Sequence, residues 1–183
     1  MKTRFELEVE HDNDPMNPRT DWDNFTTMIC SHRRYSIGDE HNYKSENFDS
    51  WDEMKEQIVL DYKVLLIKPL YMYDHSGITI STKPFGCQWD SGQVGWIFVS
   101  KDKVQKESLD ETKIEEYLKG EVETYDQYIR GDVYGYKVYK VETCDKGCEH
   151  EEELDSCWGF YGEEECISEA KSIVEYYMDK VSV

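Results

Sequence analysis

The sequence predicts an α+β protein: an antiparallel or mixed β-sheet of about six strands with three helices packed mainly on one face. Three observations predict it. Apolar and polar residues alternate in several short runs, the mark of half-buried strands. Three segments carry helical signatures, an N-terminal cap or an apolar stripe at three- and four-residue spacing. The elements run as strands, helix, strands, helix, strand, helix, which does not build a regular βαβ array. With 183 residues and no repeat or linker composition, the expectation is a single domain over 1–183.

Phe5, Leu7 and Val9 alternate with Glu6, Glu8 and Glu10 and predict the first strand. His11 through Arg19 is turn chemistry, rich in Asp, Asn and Pro. A second strand is expected over 25–31, then a polar loop to Asn47. Ser50 followed by Glu53 is a capping box and predicts a helix over about 51–61. Residues 64–73 read as a central strand, with Pro69 weakening the ladder. Asp74-His75-Ser76-Gly77 turns the chain into a hairpin strand at 78–82. Another strand follows over 94–100, and Gly92 and Gly95 suggest a bulge or a close backbone approach. Ser108 and Glu111 repeat the capping box ahead of a stripe of Ile114, Leu118, Val122, Tyr125 and Ile129, stopped by Gly131. Residues 133–141 predict a tyrosine-rich strand, 142–162 a charged loop, and the last segment a helix with Cys166 or Ile167, Ala170, Ile173 or Val174, and Tyr177 on one face.

Composition narrows the function. The chain holds 40 acidic and 21 basic residues, a formal charge of −19. Residues 1–106 contain 18 acidic and 13 basic groups, and residues 107–183 contain 22 and 8. Phosphate binding depends on Lys and Arg, so the sequence predicts no direct nucleic-acid binding through a basic patch; Arg33-Arg34 stands alone. No run approaches the ~20 apolar residues of a membrane span. Met1-Lys2-Thr3-Arg4 leads into an alternating pattern instead of an apolar signal. The expectation is a soluble cytoplasmic protein whose six cysteines are mostly free thiols.

Several constellations could carry chemistry. His11, Asp12, Asp14, His32, His41, Asp74 and His75 include metal-ligand types, but Asp and Asn beside Pro more often make turns. Cys144, Cys148 and His150, with Cys157 or Cys166 to complete the tetrahedron, suggest zinc, although three residues separate the first pair where a zinc knuckle has two. Cys30 and His32 share a strand face without an acidic group to orient the base. No catalytic residue, metal or cofactor is therefore assigned. The densest feature is acidic: Glu149, Glu151, Glu152, Glu153 and Asp155, then Glu163, Glu164 and Glu165, with further carboxylates on the helix before them. Such a surface is either a solvated face or an imitation of nucleic-acid charge, and these eight residues are the candidate partner-binding set.

The segments Asp14-Pro15-Met16-Asn17-Pro18-Arg19, Tyr73-Asp74-His75-Ser76-Gly77, Trp89-Asp90-Ser91-Gly92-Gln93-Val94-Gly95, Glu123-Thr124-Tyr125-Asp126-Gln127-Tyr128 and Asp155-Ser156-Cys157-Trp158-Gly159-Phe160-Tyr161-Gly162 resemble a family of small acidic proteins of bacteriophages and prophages. That group includes anti-CRISPR inhibitors of type II RNA-guided nucleases. The resemblance implies a phage-encoded counter-defence protein in the cytoplasm of an infected host, binding and inhibiting a basic nucleic-acid-handling host protein. It transfers no binding residue. The alternative reading is a metal-dependent phage enzyme acting on nucleotides or nucleic acid.

Overall fold

The computed structural model describes residues 2–108 and 110–181. They divide into two compact units: the first joins 1–16 to 131–183, and the second comprises 17–130.

The first unit is a three-stranded antiparallel sheet with one helix. Its strands are β1 (Lys2–His11), β6 (Val133–Thr143) and β7 (Glu149–Tyr161), ordered β1-β6-β7, and the helix is α4 (Glu163–Val181). Strand alternation sends Leu7, Val9, Tyr136 and Val138 to one face, where Cys166 and Ala170 of α4 close the core. β7 carries two bulges, at Leu154 and Gly159. The first frees the Leu154 carbonyl to accept the Tyr177 hydroxyl of α4 at 3.1 Å. The opposite, open face carries the exposed Glu6, Glu8, Glu149, Glu151 and Glu153 around a buried Val141.

The second unit is a four-stranded antiparallel sheet covered on both faces. The strands are β2 (Thr27–Cys30), β3 (Val64–Asp74), β4 (Ile78–Ser81) and β5 (Ser91–Ser100), ordered β2-β5-β3-β4. Helix α1 (Trp51–Tyr62) packs Met54 and Ile58 on Ile29, Trp96 and Phe98. Helix α3 (Ile114–Arg130) packs Leu118, Val122 and Tyr125 on Met28, Leu70, Met72 and Ile97. Burial on both faces is why Val94–Val99 is almost continuously apolar. β4 reaches only Tyr71–Asp74 of β3, so Pro69 owes no donor on that side. A Cβ on Gly95 would lie 1.8 Å from the Ile29 carbonyl oxygen, the close approach expected there; a Cβ on Gly92 would meet nothing.

These findings correct the expected architecture. There are two antiparallel sheets, of three and four strands, and four α-helices among the described residues, not one six-stranded sheet with three helices on one face. The extra helix, α2 (Lys101–Glu107), begins at Ser100, whose hydroxyl accepts the Lys103 N–H at 3.2 Å. Ser108 is not a helix start but the left-handed C-cap of α2, φ +51°, and Asp110 instead caps a short turn ahead of α3. The extra strand is β7, inside the segment expected to be a charged loop: Asp145-Lys146-Gly147 reverses the chain and Glu149–Tyr161 pairs back along β6. Among the described residues, no helix is long and apolar enough to cross a membrane.

Candidate functional site: the acidic surface of the three-stranded sheet

The eight candidate carboxylates all belong to the first unit, but strand alternation separates them. Residues opposite one another in an antiparallel pair share a face. Glu149, Glu151 and Glu153 lie opposite Thr143, Val141 and Tyr139, on the open face. Glu152 and Asp155 lie opposite Lys140 and Val138, on the face that α4 covers further along. Glu163, Glu164 and Glu165 form the first turn of α4, where unpaired N–H groups and the helix dipole favour negative charge. The expected single acidic patch is thus two strand rows and a helix terminus.

The open face gains members that the sequence did not connect. Glu6, Glu8 and Glu10 of β1 pair with Tyr139, Lys137 and Gly135 of β6, so they share the face with Glu149, Glu151 and Glu153. Two acidic rows flank a central strand. Successive same-face residues lie about 6.7 Å apart along a strand, and the outer strands stand about 9.6 Å apart. Alternation in the sequence showed the β1 row, whereas the β7 row lay in the segment expected to be a charged loop; only strand pairing reveals that the two face the same way.

Three cationic contacts stitch this face. Arg4 bridges Glu6 at 2.7 Å and Glu149 at 2.7 Å; its hydrogen bond to Glu149 is the main cause holding that carboxylate below its ordinary range. Lys137 pairs with Glu10 and lies 5.5 Å from the Trp158 ring centre, beside it on the face. Trp158 covers Gly135, where a Cβ would stand 2.1 Å from the indole. Tyr139 donates its hydroxyl to Glu8 at 3.5 Å, and Ser156 donates to Glu153 at 3.0 Å. Among the described residues, the carboxylates of Glu151, Glu152, Asp155, Glu163, Glu164 and Glu165 make no side-chain ion pair or hydrogen bond.

Part of the acidity in the second unit is structural instead. Glu121 of α3 accepts the Phe25 N–H at 2.8 Å and pairs with Arg19 at 2.9 Å. Asp126 accepts the Thr79 hydroxyl at 2.6 Å and the Ile80 N–H at 2.7 Å, tying β4 to α3. These two carboxylates are engaged in holding the fold.

The other constellations have local partners. The His11 ring stacks on Tyr134, His32 on Tyr35, His41 meets the Cys30 carbonyl at 2.8 Å, and His75 lies 3.4 Å from Asp90. Burial pushes the Cys30 thiol up to about 12, helped by Asp39, which makes it a core group and not a nucleophile at neutral pH. Among the described residues, no three His, Cys, Asp or Glu side chains are grouped to hold a metal ion. A cleft of about 630 Å³ is lined by the 30–46 segment, including His32, Arg33, Arg34, His41 and Lys44; the sequence predicted a polar loop here but not a concave surface. Comparison with protein families, curated proteins and solved structures gives no match for the chain.

Proposed function

We propose that this protein acts by binding a basic, nucleic-acid-handling protein through the open face of its three-stranded sheet, as a phage counter-defence inhibitor. The observation that carries the reading is the pair of glutamate rows, Glu6, Glu8 and Glu10 against Glu149, Glu151 and Glu153, on one rigid face. Charge is also densest in this unit: 19 acidic and 7 basic residues in 69, against 21 and 14 in the 114 of the second unit. One carboxylate about every 6.7 Å along a row is about half the linear charge of a single DNA strand, one per ~3.4 Å. Such a face attracts a Lys- and Arg-lined channel, accelerating encounter, without reproducing a duplex phosphate for phosphate.

The resemblance to acidic phage proteins makes a guide-loaded type II CRISPR nuclease the first partner to test. Binding should weaken steeply between 0.1 and 1 M salt, as the Debye length falls from ~10 to ~3 Å. Simultaneous reversal of Glu149, Glu151 and Glu153 to Lys should lower affinity by about tenfold or more, while circular dichroism and the melting midpoint show the fold retained. Reversal of Glu163, Glu164 and Glu165 should cost less binding and more stability, because those charges serve their own helix. Equal affinity for the wild type and the β7 triple variant, independent of salt, would refute the reading.

A further inference from the structure

The turn between β6 and β7 places two cysteines face to face. The Cys144 N–H donates to the Cys148 carbonyl at 2.9 Å, and the Gly147 N–H donates to the Cys144 carbonyl at 2.9 Å, with Gly147 in the left-handed region at φ +80°. This is a three-residue hairpin loop closed by a glycine bulge. The Cys144 side chain folds back over the loop, where its Sγ accepts the Cys148 N–H at 3.3 Å. That N–H, followed by the backbone N–H of Lys146, holds the Cys144 thiol below its ordinary range. By contrast, Cys30 and Cys166 are buried and both are pushed up by that burial. Cys148 is exposed and Cys144 half-exposed, so a small reagent reaches both.

We propose that Cys144 and Cys148 form a reversible dithiol–disulfide pair, with Cys144 the nucleophile and Cys148 the resolving thiol, and with hydroperoxides as the reacting class. Cys144 and Cys148 share one backbone hydrogen bond directly beyond the last ladder pair, Thr143 and Glu149; opposed Cα atoms in an antiparallel ladder stand about 4.5–5.5 Å apart, inside the ~4.4–6.8 Å span that a disulfide bridges. The backbone N–H donors that stabilise the Cys144 thiolate are already in place before reaction. The thiolate attacks one peroxide oxygen, the O–O bond breaks, and hydroxide leaves. Sulfur is oxidised by two electrons to a sulfenic acid. The Cys148 sulfur then attacks that sulfur, the S–O bond breaks, and the thiol proton leaves with the hydroxide as water. Overall, two thiols and one hydrogen peroxide give one disulfide and two waters. The inference is independent of the acidic face, since neither sulfur takes part in binding there.

The test uses the reduced, folded full-length protein. With limiting iodoacetamide, peptide mapping should show Cys144 alkylated about tenfold faster than the exposed Cys157. With equimolar hydrogen peroxide, the tryptic peptides cut apart after Lys146 should remain linked, with the bond located to Cys144 and Cys148, and dithiothreitol should release them. In Cys148→Ser, dimedone should trap a sulfenic acid on Cys144; in Cys144→Ser, Cys148 should give none. Gly147→Ala strains the turn that supplies the donors, and should bring Cys144 alkylation down toward the Cys157 rate. Equal alkylation of Cys144 and Cys157, no linked peptides, or a dimedone adduct on Cys148 in Cys144→Ser would each overturn the proposal.

Discussion

Arg19 is the residue whose surroundings most constrain the second unit. Its side chain is only 1% exposed, a position a lone charge could not hold. Asp39 accepts from Nε and Nη2, each at 2.7 Å, in the two-pronged geometry that suits a guanidinium. Glu121 accepts from Nη1 and the Thr26 carbonyl from Nη2. Burial opposes the charged form, and Asp39 followed by Glu121 outweighs it, so the pKa is held above its ordinary value. The network joins the 17–39 segment to α3, whose Tyr125 hydroxyl also accepts the Gly38 N–H at 3.0 Å. Arg19→Met leaves two carboxylates facing each other with no cation between them. It should lower stability by about 3–5 kcal/mol, read as a drop in the urea midpoint at unchanged slope. A loss below about 1 kcal/mol would mean that water answers those carboxylates.

At the scale of elements, β7 teaches most. Trp158 is 41% exposed and lies flat on the β6 backbone at Gly135. The residue therefore belongs to a strand and shields a glycine. Truncating a half-exposed ring costs less than emptying a core. Trp158→Ala should lose about 1–2 kcal/mol, below the ~3–5 of a fully buried aromatic. Gly135→Ala, which puts a methyl where the indole lies, should cost about 1–3 kcal/mol. In the double variant the two costs should not add, because removing the ring removes the clash. Additive losses in urea unfolding would show that the glycine answers to something else.

The same strand shows what could be read from sequence and what could not. β1 and α3 were legible because each has one buried face, and burial imprints a period on the sequence; β3 was legible as an apolar run, packed from both sides, and α1 from its capping box. β7 is an edge strand exposed over Glu149–Glu153, so its charges erase the alternation while protecting the edge from stray pairing. Its two bulges shift the face of every residue beyond them. α2 is seven residues long and capped by Ser100 without a glutamate three positions on, leaving no capping box to notice. For the candidate site, sequence gave the charges of β7 and α4 but not their partners. The β1 row joins Glu149, Glu151 and Glu153 only through pairing with β6, more than a hundred residues away.

On the scale of the whole chain, the second unit is an insertion. β1 runs out at His11 opposite Tyr134 of β6, and the Asp12 N–H donates to the Val133 carbonyl at 2.8 Å. The chain therefore leaves the first unit and re-enters it at neighbouring points, the condition under which inserted domains are tolerated. Neither junction carries linker composition: one lies in the Pro-rich turn at Met16–Asn17, the other at Gly131, whose φ of +72° ends α3. The second unit has its own core on both sheet faces. A fragment of residues 17–130 should consequently fold alone, with a cooperative urea transition and dispersed amide resonances. A fragment showing helix signal but no cooperative transition would mean that its core needs the first unit.

The β1–β6 pairing also sets an order of assembly on the ribosome. At roughly 5–20 residues per second, the strand Lys2–His11 emerges and waits many seconds for Val133–Thr143 to be made. The inserted unit has every strand partner within its own span and can fold during that wait. β1 cannot; it stays an unpaired nascent strand with Phe5, Leu7 and Val9 on one side and Glu6, Glu8 and Glu10 on the other. Three like charges along a waiting strand repel a second copy of themselves on a neighbouring nascent chain. The glutamate row that later faces outward from the finished sheet thus first serves as a guard for a chain still under synthesis.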